Sequence, residues 1–382
     1  MLSSKILFVN HTAALGGAEL TLANILSAYR DRAKVLLFED GFLKQKLESA
    51  GVEVALLQAN SAILNIRAAS TFKSLTRIPQ LWALAKKVAR EASEFELIVA
   101  NSQKAFVISA LATLYGTPPL IWHLHDILTA KHFSGINRRL VIFLANRFAS
   151  QVIVNSQATG DAFVAAGGNP KLIEVVYNGF DSEPFERVSV QQSSEIRARL
   201  GIGDVFLVGL FSRLSYWKGQ HLLLDAIREL PHVHALIVGD VLFEEHEYAS
   251  LLKTKASVPE LQGRIHWLGF RRDIPTLMKT CDIVLHTSTE PEPFGNVIVE
   301  GQLAQKPVIA SAAGGALEII EDRVTGCLFP LGDAEVLKWL IAELASDRKL
   351  RATLARQGYA SAKANFAFET MLHNYERVIS SV

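Results

Sequence analysis

Short, continuous runs of apolar residues, each separated from the next by a stretch with helical spacing, are the feature that most constrains this fold. Strands buried on both faces are apolar throughout, and parallel strands need helical connections between them, so the alternation predicts parallel β-sheets covered by helices on both sides. Seven runs fall in the first half: Lys5–Asn10, Lys34–Glu39, Val52–Gln58, Leu97–Asn101, Leu120–His125, Gln151–Asn155 and Glu174–Tyr177. Six follow: Phe206–Phe211, His234–Gly239, Arg264–Leu268, Asp282–Thr287, Pro307–Ser311 and Gly326–Phe329.

One interruption divides this pattern into two α/β domains of the Rossmann-like kind. Residues 183–199 are polar and predict a linker between a first domain at 1–182 and a second at 200–365. A length of 382 residues is typical of two domains. In 366–382 apolar residues recur at spacings of three and four, which predicts a final helix that packs on the first domain.

Composition excludes several classes of protein. The net formal charge of +1 argues against a general nucleic-acid binder. Cys281 and Cys327, the only cysteines, form neither a disulfide framework nor a zinc site and predict a reducing, cytoplasmic setting. The N-terminus lacks the layout of a signal peptide, and no apolar run reaches the roughly 18 residues that a membrane span needs.

Two cations directly follow the first strand of the second domain. Arg213 and Lys218 lie in a loop that leads into a helix, and open α/β sheets bind ligands at the carboxyl ends of their strands. A guanidinium and an ammonium can converge on one diphosphate and neutralise the charge on a leaving phosphate without a metal ion. Two solvated surface cations are the alternative, and the strand-end position favours the diphosphate.

The segment 290–300, Glu-Pro-Glu-Pro-Phe-Gly-Asn-Val-Ile-Val-Glu, is the most informative in the chain. Its prolines stiffen the loop, and Gly295 lets the chain turn into a helix whose first amides lack partners within the helix. Glu292 lies just before this helix and Glu300 about one turn inside it. One carboxylate can therefore bind sugar hydroxyls while the other binds a diol farther along an extended ligand.

Two glycine pairs open helices after strands, and each has two interpretations. Gly16-Gly17 and Gly314-Gly315 can bring the backbone close to a ligand, or can serve only the geometry of a turn. The first pair is not part of a GxGxxG motif, so the dinucleotide-binding pattern is absent and a nicotinamide dehydrogenase is disfavoured.

Two histidines near the end of the fifth strand, His123 and His125, lie on one face of that strand. A histidine at a strand's carboxyl end can donate a hydrogen bond to a hydroxyl or stabilise developing charge. A buried core histidine is the alternative, and it is favoured for His123. No third ligand follows at a useful spacing, so a metal site is not predicted.

Together these residues resemble the retaining glycosyltransferases of family GT4, which have the GT-B fold. The resemblance rests mainly on Glu292 and Glu300, which are separated by seven residues that include Pro293-Phe294-Gly295. Because Glu290-Pro291 repeats the Glu-Pro pair, spacing selects Glu292. Companion motifs are Gly16-Gly17-Ala18-Glu19, Asn178-Gly179-Phe180-Asp181, Arg213 with Lys218-Gly219, and Gly314-Gly315 through Glu318 and Gly326.

The resemblance implies two facing domains with a cleft between them, the second binding a nucleotide-sugar donor and the first an acceptor. It implies that Arg213 and Lys218 bind the diphosphate, that Glu300 binds the ribose and that Glu292 binds the sugar. The other implied contacts are His125 beside the reacting sugar, Gly16 and Gly17 near the phosphate, Arg271 beside the base, and the backbone amides of Phe294, Gly295, Asn296 and Val297.

Such enzymes are metal-independent, have no cofactor and retain the anomeric configuration by attack from the leaving-group face. The resemblance therefore predicts a hexosyltransferase of polysaccharide biosynthesis that uses UDP-glucose or a similar UDP-hexose. The predicted acceptor is a saccharide or a lipid-linked saccharide. A nucleotide-sugar epimerase of the same fold and a non-catalytic partner subunit stay open as alternatives.

Two basic stretches of the first domain point to the acceptor. Residues 1–180 carry 18 lysines and arginines against 12 acidic residues, so this half is expected to contact something anionic. Interleaved basic and aromatic residues fit a membrane surface or a lipid-diphosphate, and a solvated helix face is the alternative. The stretches contain Arg67, Phe72, Lys73, Arg77, Trp82, Lys86, Lys87 and Arg90, and then Lys131, Phe133, Arg138, Arg139, Phe143 and Arg147.

Overall fold

The computed structural model, which describes residues 5–57, 78–129, 134–241 and 245–382, contains two separate parallel sheets. The chain divides into a first unit, Met1–Asn178 with Met371–Val382, and a second unit, Gly179–Thr370. Each unit has one sheet with its own hydrophobic core. The α/β class predicted from the apolar runs is confirmed, and all thirteen predicted strands are present.

The sheet of the first unit has seven strands in the order β3-β2-β1-β4-β5-β6-β7. Strand order reverses between β1 and β4, which is where open α/β sheets form a ligand crevice at the carboxyl ends of the strands. The strands are β1 (Ile6–Asn10), β2 (Ala33–Leu37), β3 (Glu53–Leu56), β4 (Leu97–Ala100), β5 (Leu120–Leu124), β6 (Gln151–Val154) and β7 (Ile173–Val175).

Helices on both faces bury this sheet. Trp122 of β5 is fully buried and stacks on Phe106 at a centroid distance of 4.4 Å. Several helices begin with a serine whose side chain accepts a backbone N–H, as Ser102 and Ser156 do. The helices are α1 (Gly17–Tyr29), α2 (Phe42–Ser49), α3 (Ile78–Ala92), α4 (Gln103–Ala112), α5 (Gly135–Phe148) and α6 (Gln157–Ala165).

Residues from the end of the chain complete the first unit. Tyr375 is fully buried, and its ring meets that of Tyr29 edge to face at a centroid distance of 6.3 Å. Glu376 accepts a hydrogen bond from the Tyr29 hydroxyl at 2.6 Å and pairs with Arg32 at 2.5 Å. The last helix therefore contributes both apolar packing and a polar clamp to the unit that contains β1.

The sheet of the second unit has six strands in the order β10-β9-β8-β11-β12-β13, and its reversal lies between β8 and β11. Strand bounds are β8 (Phe206–Phe211), β9 (Val233–Val238), β10 (Ile265–Gly269), β11 (Ile283–His286), β12 (Val308–Ser311) and β13 (Cys327–Phe329). The remaining helices are α7 (Glu183–Glu186), α8 (Val190–Leu200), α9 (Gln220–Arg228), α10 (His246–Ala256), α11 (Ile274–Thr280), α12 (Asn296–Leu303), α13 (Ala316–Ile319), α14 (Ala334–Ser346), α15 (Arg348–Asn365) and α16 (Phe368–Ile379).

The prediction of a linker at 183–199 is wrong, because this segment forms α7 and α8 within the second unit. Ser189 and Gln192 make a capping box at the start of α8, and Gly201 ends it in the left-handed conformation. Arg197 then pairs with Asp282 at 2.8 Å. The polar composition reflects a largely exposed helix rather than irregular chain.

No helix within the described ranges is both long enough and apolar enough to cross a bilayer. Six residues of the predicted basic and aromatic stretches lie outside the ranges that the structure describes. These six are Arg67, Phe72, Lys73, Arg77, Lys131 and Phe133.

Candidate functional site

A tryptophan brings together the two predicted diphosphate ligands of the second unit. The guanidinium carbon of Arg213 lies 5.3 Å from the centroid of the Trp217 ring, and Lys218 Nζ lies 4.2 Å from it. The Trp217 carbonyl accepts the amide of Thr289 at 2.8 Å, which joins this loop to the one after β11. Two cations are thereby held on one aromatic ring at the strand-order reversal of the sheet.

Glu292 lies at the centre of a buried charged cluster in the loop after β11. Its Oε1 atom lies 2.6 Å from Lys218 Nζ and 3.0 Å from His286 Nε2, and it accepts a hydrogen bond from the Ser288 hydroxyl. Burial raises the pKa of Glu292, but the contacts with Lys218 and His286 together outweigh burial and hold that pKa well below the usual range. Glu292 is therefore a charged carboxylate at neutral pH.

All of these contacts use the same carboxylate oxygen. The second oxygen of Glu292, Oε2, makes no hydrogen bond or ion pair with any residue that the structure describes. One oxygen is thus anchored while the other keeps its capacity to accept a hydrogen bond. The Lys218 ammonium, predicted to bind a diphosphate, is at the same time the main partner of the carboxylate predicted to bind the sugar.

The Gly314-Gly315 pair holds the Glu292 loop in place. Gly314 has φ = +60°, and a Cβ there would lie 2.2 Å from the Glu292 carbonyl oxygen. Gly315 donates its amide to that carbonyl at 3.0 Å. Of the two interpretations of this pair, the structure shows a close approach between two backbones, which only glycine permits.

Helix α12 begins directly after Gly295, which has φ = +108°. Phe294 is buried, and its ring packs on Phe180 and Phe366 at centroid distances of 6.4 and 5.6 Å. This packing fixes the start of α12, at which Asn296 and Val297 carry two of the helix's first amides. The Asn178–Asp181 motif thus supports the Glu292 loop through Phe180.

Glu300 is a half-buried residue of α12. Its carboxyl group makes no ion pair or hydrogen bond with the described residues, and burial raises its pKa to about 7. Such a carboxyl group changes charge near neutral pH and can accept hydrogen bonds only weakly when protonated.

Arg271, which was predicted to lie beside the base, follows β10 at the surface. Its guanidinium pairs with Asp273 at 2.6 Å. The side chain is therefore held by a neighbouring carboxylate. Its hydrogen bonds and ion pair are with Asp273 and not with Arg213, Lys218 or Glu292.

In the first unit, polar residues gather where β1, β4 and β5 end. His125 Nε2 lies 2.9 Å from Asn101 Oδ1, and burial lowers the pKa of His125 to about 4. His11 Nδ1 lies 2.8 Å from the Ser102 hydroxyl, and burial followed by the Lys104 charge lowers the pKa of His11 to about 4. Both imidazoles are therefore neutral at physiological pH.

His123 is a core residue. It is 2% exposed, and its ring centroid lies 3.9 Å from that of His125 and 5.5 Å from that of Tyr375. Burial holds its pKa well below the usual range. This position fits the buried alternative that the strand pattern favoured.

Gly16 and Gly17 form the start of α1. Gly16 is the N-terminal cap in an extended conformation, and its amide donates to Glu19 Oε2 at 3.2 Å. Burial raises the pKa of Glu19 against the hydrogen bonds that it accepts. The loop is therefore closed by its own acidic residue, and Gly17 is exposed at the first helical position.

Sequence reasoning missed Trp217, His286 and Ser288 in the second unit and Asn10 and Asn101 in the first. Their signal was position, because each ends a predicted strand or follows one. Across the described ranges, no three His, Cys, Asp or Glu side chains form a group that could hold a metal ion.

Family models match both halves of the chain. Residues 192–361 match the model described as Glycosyl transferases group 1, and residues 15–184 match Glycosyltransferase Family 4.

Solved and curated proteins agree with these matches. Alr3699/HepE of Anabaena, solved in complex with UDP and glucose, is 43% identical with a TM-score of 0.91, covering 99% of this chain and 100% of that one. The lipopolysaccharide core biosynthesis glycosyltransferase LpsE of Rhizobium meliloti is 29% identical over 48% of this chain and 53% of its own length. The mannosyltransferase LpcC of Rhizobium leguminosarum is 31% identical over 45% and 50%. The chain therefore spans about half the length of these curated relatives.

Proposed function

The chain belongs to the GT4 family of glycosyltransferases with the GT-B fold, and we propose on this premise that it transfers a hexose from a UDP-sugar to a saccharide or lipid-linked acceptor. The observation that carries the proposal is the cluster of Arg213, Lys218 and Glu292 at the strand-order reversal of the second sheet. UDP-glucose is the favoured donor, because Anabaena HepE has also been solved in complex with UDP-glucose and is 43% identical.

In this proposal Arg213 and Lys218 bind the donor diphosphate. Trp217 holds both side chains against one ring, which limits the conformational freedom that ligand binding would otherwise remove. Their two positive charges stabilise the phosphate oxygens as the bond to the sugar breaks. This charge stabilisation supports a reaction without a metal ion or another cofactor.

Glu292 binds the hydroxyls of the transferred sugar through Oε2. The contacts on Oε1 from Lys218, His286 and Ser288 fix the carboxylate plane, and a fixed acceptor selects hydroxyls by their direction. Glu300 binds the ribose diol, and the first amides of α12, from Gly295 to Val297, bind phosphate or sugar oxygens. The proposal also includes a contact of Arg271 with the base and a close approach of Gly16 and Gly17 to the phosphate.

The reaction we propose retains the anomeric configuration. The acceptor hydroxyl attacks from the face that the UDP leaves, a donor phosphate oxygen takes its proton, and the C1–O bond to UDP breaks as the new glycosidic bond forms. No protein nucleophile is required in this step.

The acceptor side of the proposal includes contact with an anionic membrane surface. Helix α5 exposes Ile136, Leu140 and Phe143 at successive turns of one face, with Arg139 and Arg147 exposed beside them. Exposed apolar residues flanked by arginine match the interface of an anionic bilayer. A cytoplasmic location completes the proposal, and the buried free thiols of Cys281 and Cys327 fit a reducing compartment.

Turnover of UDP-glucose, other UDP-hexoses and GDP-mannose by the purified protein tests the transfer reaction, with a panel of saccharide acceptors. We expect a UDP-hexose to give an α-linked product, assigned from its anomeric coupling by NMR, and EDTA to leave the rate unchanged. Conversion of the donor without acceptor would identify an epimerase instead, and absence of nucleotide-sugar binding in calorimetry would favour a non-catalytic subunit.

Alanine variants test the site itself. Arg213→Ala should weaken UDP binding by about tenfold or more, because a charge-assisted hydrogen bond to phosphate is lost. Arg228→Ala is the matched control, since Arg228 ends α9 and pairs with Glu260 at the surface rather than with any residue of the cluster. Equal affinity of the two variants would contradict the assignment.

Co-sedimentation with vesicles tests the membrane contact. The double variant Arg139→Glu with Phe143→Asp should lose binding to vesicles that contain phosphatidylserine, and added salt should weaken the wild-type binding. Val190→Asp replaces an even more exposed apolar residue, at the start of α8, and serves as the control. Unchanged sedimentation of the α5 variant would exclude this surface as the contact.

A further inference from the structure

Three side chains at the ends of adjacent strands form a hydrogen-bonded chain in the first unit. Asn10 Nδ2 donates to the Thr12 carbonyl at 2.8 Å, and Asn101 Nδ2 donates to Asn10 Oδ1 at 3.4 Å. Asn101 Oδ1 in turn lies 2.9 Å from His125 Nε2. Both asparagines are almost fully buried, so their amides must be satisfied inside the protein.

A backbone carbonyl fixes the direction of every hydrogen bond in this chain. The Thr12 oxygen can only accept, so the Asn10 amide group faces it and the Asn10 oxygen faces Asn101. An oxygen there requires a donor, so the Asn101 amide group faces Asn10. The Asn101 oxygen is left facing His125, and this pair requires a proton on Nε2.

We propose that Asn10 and Asn101 are positioning residues that hold His125 as the neutral Nε2–H tautomer, with Nδ1 as a hydrogen-bond acceptor for a substrate hydroxyl. Nδ1 has no hydrogen-bond partner among the described residues. A neutral imidazole nitrogen with a lone pair attracts a hydroxyl group and repels a phosphate or carboxylate oxygen. The proposal rests on the proposed function only in naming a sugar hydroxyl as the group bound.

This polarity differs from the one expected from the sequence, in which the histidine donates or stabilises charge. Burial lowers the pKa of His125 to about 4, so the neutral form persists at physiological pH. The titratable groups around it are His123, which stacks at 3.9 Å, Tyr375 behind His123, and Asp126 with Glu19 at the neighbouring loop. Burial keeps His123 neutral as well.

NMR of the protein labelled with ¹⁵N-histidine tests the tautomer directly. The chain has 11 histidines, so His125 is identified by the signals that disappear in His125→Gln. We expect Nε2 to be protonated and Nδ1 to be unprotonated from pH 8 down to pH 5. An Nδ1–H tautomer, or an imidazolium within that range, would overturn the proposal.

The variant Asn101→Asp tests what the tautomer does. Aspartate still accepts from Nε2–H, but its negative charge raises the pKa of His125, and a doubly protonated ring cannot accept a hydroxyl proton at Nδ1. With UDP-glucose as donor, we expect the ratio of variant to wild-type kcat/KM to fall about tenfold between pH 8 and pH 6. Asn101→Leu should lower kcat/KM by the same factor at every pH, without the additional loss at acidic pH. It removes the hydrogen-bond acceptor of His125 Nε2–H and adds no charge.

A double variant tests whether the loss of kcat/KM at acidic pH in Asn101→Asp comes from protonation of His125. Asn101→Asp combined with His125→Gln should follow the pH profile of His125→Gln alone, because no imidazole is left to titrate. A flat ratio for Asn101→Asp, while NMR shows a raised His125 pKa, would disprove the acceptor role. Failure of wild-type transfer with every donor would overturn the proposed function, while the NMR result would still decide the tautomer.

Discussion

Glu300 is a carboxyl group whose charge is set by burial rather than by an ion pair, and burial raises its pKa to about 7. In the proposed site its ionised form accepts hydrogen bonds from the ribose hydroxyls. Nucleotide binding should then depend on pH in the range in which enzymes of neutral compartments work.

We predict that UDP affinity decreases as the pH falls through 7, because the protonated carboxyl group loses acceptor capacity. The loss approaches about tenfold per pH unit below the pKa if only the ionised form binds. Calorimetry from pH 8.5 to pH 6 measures it, and Glu300→Gln should remove this part of the dependence while the titration of the phosphate remains. Parallel curves for wild type and variant would show that Glu300 does not contact the nucleotide.

A second prediction at the residue scale concerns how much the Lys218–Glu292 ion pair contributes to the free energy of unfolding. Lys218→Ala leaves a buried carboxylate without its ammonium, and such losses cost about 3 kcal/mol of unfolding free energy. Because the pKa of Glu292 is depressed, the pair stabilises fully above the unfolded-state pKa of 4.5 and loses its effect as the pH falls through the folded-state pKa.

Urea unfolding at pH 7 measures this cost. Adding Glu292→Gln to Lys218→Ala should restore part of the stability, since the isolated charge is removed. Lys338→Ala, which breaks only surface ion pairs with Glu229 and Glu335, should leave the midpoint unchanged. If the double variant is less stable than Lys218→Ala, the buried charge is not what destabilises the single variant.

At the scale of elements, two loops of the second unit depend on each other through the contact between Gly314 and Glu292. Gly314→Ala should cost more than the roughly 1–2 kcal/mol of a left-handed alanine, because its Cβ would collide with the Glu292 carbonyl. Gly332→Ala is the matched control, with φ = +77° and no atom within 4 Å of the added Cβ.

The two variants separate backbone strain from collision. We expect Gly332→Ala to keep wild-type UDP-glucose turnover and Gly314→Ala to lose most of it, since the Glu292 carboxylate is displaced. Thermal melts with turnover assays check this. Equal stability of the two variants would mean that the loop after β12 moves aside without disturbing Glu292.

The strands could be predicted from the sequence because a parallel strand buried on both faces shows its burial as an unbroken apolar run. The segment 183–199 could not, since an exposed helix and a linker have similar composition, although Ser189, Gln192 and Gly201 carried the capping signal. Candidate site residues such as Arg213 and Glu292 could be picked out because they follow strands. Asn10 and Asn101 carried the same signal and were missed.

Partnership within the site was not predictable. Nothing in the sequence pairs Lys218 with Glu292 across 74 positions, or joins Asn10, Asn101 and His125, because these contacts depend on strand order. Similarly, the sequence left open whether Gly314-Gly315 approaches a ligand or only forms a turn, and only the packed structure shows that its neighbour is the backbone of Glu292.

At the scale of the whole molecule, Tyr375 tests how much the last helix contributes to the first unit. Its ring is fully buried, while its hydroxyl has no hydrogen-bond partner in the described ranges. Tyr375→Ala should cost about 3–5 kcal/mol of unfolding free energy. Tyr375→Phe should be neutral or stabilising, because an unsatisfied buried hydroxyl is removed.

Chemical denaturation followed by fluorescence measures both changes. His373→Ala, on the exposed side of the same helix, is the control and should not shift the transition. A destabilised Tyr375→Phe would show that the hydroxyl is satisfied in the native protein.

The return of Met371–Val382 to the unit that contains β1 sets an order of events during synthesis. A ribosome must translate all of 179–370 before the first unit receives Tyr375 and Glu376, so the half that is made first is the half that is finished last. Until then the apolar surface around Tyr29, which Tyr375 covers in the folded protein, stays exposed on the nascent chain. A chaperone that binds exposed apolar surfaces could bind there during this period.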